Sequence, residues 1–94
     1  MAHLLIKHKV KDYTRWKKIF DEFKDTRKAG GEKSYEIFHP EDDPKNLLAI
    51  FEWDNLANAK KFVVSPELKA AMSNAGVVEQ PEVFYLERYA EGRV

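Results

Sequence analysis

Over residues 3–10 the chain alternates by parity: Leu4, Ile6, His8 and Val10 fall on one side, and His3, Leu5, Lys7 and Lys9 on the other. A two-residue period belongs to a strand, whose successive side chains point to opposite faces. Lys11 and Asp12 break the pattern and supply a helix N-cap. Across residues 13–27 the period lengthens. Tyr13, Trp16, Ile19, Phe20 and Phe23 recur at three- and four-residue spacing, with Lys17, Asp21, Glu22 and Asp25 on the opposite side. That pattern predicts one amphipathic helix of about four turns. Gly30-Gly31 ends it, because glycine adopts a left-handed C-cap without a side-chain clash.

Residues 32–39 alternate loosely around Tyr35, Ile37 and Phe38, and a polar turn rich in Pro and Asp precedes a second apolar run, residues 47–53. Two strands joined by a long loop are expected. Leu47 to Phe51 are apolar on both parities, which suits a central strand covered on both faces. Asp54 or Asn55 can cap a second helix carrying Leu56, Ala59, Phe62 and Val63 on one stripe. Ser65-Pro66-Glu67 then restarts it, with Leu68, Ala71, Met72 and Ala75 continuing the apolar face to Gly76. Residues 82–89 alternate as a last strand, and residues 90–94 form a loose tail. The resulting order is βαββαβ in the α+β class. It predicts a ferredoxin-like, four-stranded antiparallel sheet with helices on one face and the first and third strands central.

Parity assigns the faces. Leu4, Ile6, His8 and Val10 should meet the helices together with Leu47, Ala49, Phe51 and Trp53, leaving Leu5, Leu48 and Ile50 outward. The fourth strand allows either face for Phe84 and Leu86. An outward apolar patch on a small protein asks for a cover, and a second copy is the commonest one. A homodimer through the outer sheet face is therefore expected.

Composition narrows the function. Ninety-four residues fit a single domain spanning 1–94. Sixteen Lys plus Arg balance sixteen Asp plus Glu, so neither nucleic acid nor an anionic membrane surface is an expected partner. With no cysteine there is no disulfide, thiolate metal site or cysteine nucleophile. No apolar run approaches the roughly 20 residues of a membrane span, and the first residues lack a signal-peptide core, so a cytoplasmic location is expected.

The stretch Ile50-Phe51-Glu52-Trp53-Asp54-Asn55-Leu56-Ala57, followed by Phe62 and Ser65-Pro66-Glu67-Leu68, resembles the dimeric α/β-barrel superfamily, in particular its antibiotic-biosynthesis-monooxygenase type. That resemblance implies a pocket between the inner sheet face and the helices, and a barrel made by two subunits. It admits cofactor-independent monooxygenases, cyclases, isomerases and haem-degrading enzymes. Phe62 stands where many monooxygenase-type members carry a His, and Ala49 where some place an Asn. Met72 occupies the approximate position of the iron-binding His of the haem-degrading branch, which argues against haem degradation.

Among candidate groups, His8 interrupts an apolar strand face and is the expected proton-transfer residue. The alternative is a core histidine satisfied by a carbonyl or a Tyr. Trp53, Phe20, Phe23, Phe62 and Met72 are the expected pocket walls, although they suit core filling as well. Arg27 continues the Trp16–Phe20–Phe23 stripe and could meet a carboxylate or enolate at the pocket mouth, or serve as an exposed last-turn cation. Tyr13, Tyr35 and Tyr85 are possible hydrogen-bond donors. No two histidines have metal-site spacing. The expected ligand is a small apolar, oxygenated molecule of aromatic or polyketide-like type, handled without a cofactor. A non-catalytic ligand-binding or protein-interaction dimer is the other reading.

Overall fold

A computed structural model describes residues 2–94. Its elements run β1 (Ala2–Lys9), α1 (Tyr13–Glu22), α2 (Lys24–Gly30), β2 (Glu32–Phe38), β3 (Asn46–Trp53), α3 (Leu56–Val63), α4 (Pro66–Asn74) and β4 (Glu82–Leu86). The strands form one antiparallel sheet in the order β2-β3-β1-β4, the ferredoxin-like plan with β1 and β3 central.

Register fixes which side chains face the helices. Leu4 lies opposite Phe51, Ile6 opposite Ala49 and His8 opposite Leu47, and all six are buried. On the far side of β1, Ile6 pairs with Val83 and Leu5 with Phe84. Val83 therefore points inward while Phe84 and Leu86 point outward, which settles the face that alternation left open. Phe38, Phe84 and Leu86 stay exposed beside the half-buried Leu5, Leu48 and Ile50.

Helix starts follow local chemistry. The Asp12 carboxylate accepts from the Thr14 and Arg15 amides at 3.3 and 3.2 Å. Asn55 accepts from the Asn58 amide at 2.8 Å, and Ser65 Oγ from the Leu68 amide at 3.2 Å. Each satisfies a donor that a helix leaves free in its first turn. The restart at Ser65-Pro66 separates α3 from α4 as its sequence implies.

The first helix is not continuous over 13–27. Phe23 sits at φ −87°, ψ 2°, and its amide bonds back to both Ile19 and Phe20 carbonyls at 3.1 and 3.2 Å. The Phe20 carbonyl is also taken by the Arg27 guanidinium. A side chain inserted into the helical ladder is a recognised cause of such a break. At the far end Gly31 adopts φ +124°, and a side chain there would strike the Asp54 carboxylate. The Asp54 amide in turn bonds to the Gly31 carbonyl at 2.9 Å, tying the end of α2 to the end of β3.

The fourth strand stops at Leu86 rather than Tyr89, because its partner β1 pairs Leu86 with His3 and then runs out. Residues 87–94 carry no regular structure. No helix among the described residues is long and apolar enough to cross a membrane.

Candidate functional site

The inner parity of β1 delivers His8 to the space beneath the helices, where only 7% of it is exposed. Its ring lies 5.4 Å from that of Trp16, centroid to centroid. Both ring nitrogens are buried without a hydrogen-bond partner. Burial disfavours the imidazolium and pushes the pKa down to about 4. The Ile6 backbone pulls weakly the other way but is not in hydrogen-bond geometry with the ring. At neutral pH His8 is thus uncharged, one nitrogen a donor and the other an acceptor.

Arg27 is buried more completely, at 2% exposure. Its Nε donates to both Glu32 carboxylate oxygens at 3.0 and 3.1 Å, and its Nη1 to the Phe20 carbonyl. The guanidinium carbon lies 3.6 Å over the centre of the Phe20 ring, a cation–π contact. Nη2 has no partner. Arg27 is therefore not an exposed last-turn cation.

A bulge in β2 brings the counter-charge. Ser34 lies opposite Glu52 and Glu32 opposite Trp53, so the register shifts by one residue between them. Strict alternation from the inward Tyr35 would send Glu32 outward; the extra residue turns it inward to meet Arg27. Burial raises the Glu32 pKa above the usual carboxylate range, against the pull of Arg27. A buried pair of this kind is held by mutual dependence: either partner left alone is a costly buried charge or an empty socket.

His8 and Arg27 line one cavity of about 50 Å³. Phe20, Phe23, Phe62 and Met72 line it too, so six of the seven candidate side chains come together. Trp53 is not among its walls. It is fully buried in the core behind Phe62, the two rings 4.9 Å apart, and its Nε1 is unpaired. Trp16, which its helical stripe marked only as core, is a wall residue and stacks on Phe20 at 4.8 Å. Rings thus run from His8 through Trp16 and Phe20 to the Arg27 guanidinium. Tyr13, Tyr35 and Tyr85 are partly exposed and do not line the cavity.

Ligand pockets usually measure about 300–1,000 Å³, and one water needs about 10–15 Å³. At about 50 Å³ this cavity has space for a few waters. Among the described residues no cluster of three or more His, Cys, Asp or Glu is arranged to hold a metal ion.

No protein-family sequence model and no curated protein matches the chain in sequence. Solved structures do match in shape. An antibiotic biosynthesis monooxygenase superposes with a TM-score of 0.71 at 17% identity, covering 96% of this chain and 100% of its own. The chain has the antibiotic-biosynthesis-monooxygenase fold. A variant of SnoaB, a cofactor-independent oxygenase from Streptomyces nogalater, shares this fold with a TM-score of 0.74 at 11% identity, over 96% of this chain and 94% of that one. A conserved protein from Methanosarcina mazei Go1 gives 0.72 at 15% identity, over 93% and 91%. Within the antibiotic-biosynthesis-monooxygenase fold of this chain, the sheet supplies His8 and the helices supply Arg27 to the same interior space.

Proposed function

We propose that this protein takes a small, largely apolar, oxygenated molecule between its inner sheet face and its helices, and carries out cofactor-independent proton transfer or oxygenation on it. One observation carries the proposal: the unpaired nitrogens of His8 and the unpaired Nη2 of Arg27 belong to side chains lining the same apolar cavity. Buried polar groups are nearly always paired, and a group left unpaired costs about 1–3 kcal/mol. A ligand oxygen at each end would remove that cost.

The roles follow from charge. Neutral His8 can accept a proton from a hydroxyl or an activated carbon acid, which general-base catalysis rewards by about 10²–10⁴-fold. The resulting anion would raise the His8 pKa by direct attraction, so the ring becomes a stronger base with the ligand in place. Arg27 Nη2 can donate to the oxygen on which charge develops. Glu32 offsets the guanidinium charge, so that site suits a carbonyl or enolate oxygen better than a second full carboxylate. The cofactor-independent oxygenase among the structural neighbours supports this class of chemistry.

The working unit in this proposal is a homodimer closed through the outer sheet face, supported by the exposed Phe38, Phe84 and Leu86 beside Leu5, Leu48 and Ile50. Oxygen uptake with a panel of dihydroxynaphthalenes tests the reaction. Turnover by the wild type should fall at least a hundredfold in His8→Gln while the oligomeric mass is unchanged. Equal turnover by the two proteins removes His8 from the chemistry.

A further inference from the structure

A larger concavity adjoins the His8 cavity. Between α4 and residues 77–83 runs a groove of about 870 Å³. Cavity and groove share three lining side chains, Ile6, Leu68 and Met72. The inner space is lined by the side chains that carry the unpaired nitrogens but has only about 50 Å³; the groove has the volume and neither of those side chains. Each half lacks what the other supplies.

The three dividing side chains differ in freedom. Ile6 sits in a central strand at 2% exposure and Leu68 is 8% exposed. Met72 is half-buried, and its unbranched thioether adapts to irregular space more readily than a branched side chain. It stands on α4, a helix of nine residues set off from α3 by the Ser65-Pro66 restart and packed chiefly on α1. A rotamer change there needs no movement of the sheet. Beyond it the groove has an apolar strip, Val63, Val77, Val78 and Val83, flanked by the polar Lys69, Glu79 and Gln80.

We propose that cavity and groove are two halves of one binding site divided by Met72. Its ligand is then an elongated molecule, its oxygenated end at His8 and Arg27 and its apolar remainder along the α4–β4 groove. This inference rests on the functional reading of the His8 cavity given above.

A series of para-alkylphenols from methyl to hexyl, titrated while the His8 imidazole is followed by NMR, tests it. Affinity should rise about fourfold for each added methylene, the value for burying that group, until the groove is filled. Val78 is 43% exposed, so Val78→Asp leaves the fold intact while placing a charge in the groove. That variant should keep the wild-type circular dichroism and lose the chain-length dependence. Affinity independent of chain length in the wild type, or a dependence unchanged in Val78→Asp, overturns the two-part site while a para-cresol response at His8 leaves the functional reading standing. No response of His8 to any member of the series overturns both.

Discussion

Lowering the pH from 7 to 5 should destabilise this protein through one buried side chain. His8 titrates near 6.5 when unfolded and at about 4 in the folded chain. Below 6.5 the unfolded chain takes up a proton that the folded one refuses, so stability is fully present above that pH and drains away as pH falls toward 4. At 1.36 kcal/mol per pKa unit the loss is about 2 kcal/mol at pH 5 and reaches about 3 kcal/mol near pH 4. That is a large share of the roughly 5–15 kcal/mol that holds a domain folded. Glu32 works in the opposite sense. Its raised folded pKa means that the native state gains its proton first, so acidification favours the fold at that residue. The His8 contribution is isolated by comparing the wild type with His8→Leu in urea at both pH values. With a slope of about 1–2 kcal/mol per molar urea, the wild-type midpoint should drop about 1–2 M further than that of the variant. Equal drops in the two proteins would refute the burial argument.

Glu32→Ala should lower stability by about 3–5 kcal/mol, since it strands the Arg27 charge in the interior, whereas the double change Arg27→Met with Glu32→Leu should recover most of the loss; urea midpoints check both, and a mild effect of the single change contradicts the buried pair. Phe84→Lys places a charge on the outer sheet face at a side chain already 43% exposed. Sedimentation should then show single-chain mass where the wild type shows twice that mass, with unchanged circular dichroism; equal masses for both proteins count against the outer-face dimer.

The sheet was legible because its signal is simple. Parity alone put Leu4, Ile6 and His8 on one face with Leu47, Ala49, Phe51 and Trp53, and the register agrees pair by pair. Capping chemistry did the same for Asp12 and for Ser65-Pro66. Trp53 and the Ser65-Pro66 restart also carried the resemblance to the fold that the structural neighbours share. What stayed hidden were interactions that cut across periodicity. The helix break at Phe23 depends on Arg27 reaching back to the Phe20 carbonyl, a contact between residues seven apart that no hydropathy pattern encodes. The inward turn of Glu32 depends on a bulge, and strict alternation assigns that residue to the wrong face. Trp53 read as a pocket wall and Trp16 only as a helical-stripe position, yet Trp16 borders the cavity and Trp53 lies behind Phe62. Depth within a core is set by helix placement, which neighbouring residues in sequence do not determine. The sole hint of the Arg27 role was its position on an apolar stripe, where a cation needs either solvent or a buried partner.

The most direct measurement is nitrogen NMR of the His8 ring and the Arg27 guanidinium during a titration with para-cresol. Both groups should shift together with a single dissociation constant, the His8 nitrogens moving as they gain a hydrogen bond and Arg27 Nη2 as it finds an acceptor. Binding that leaves both sets of nitrogens where they stand in the free protein would contradict the assignment of this cavity as the site.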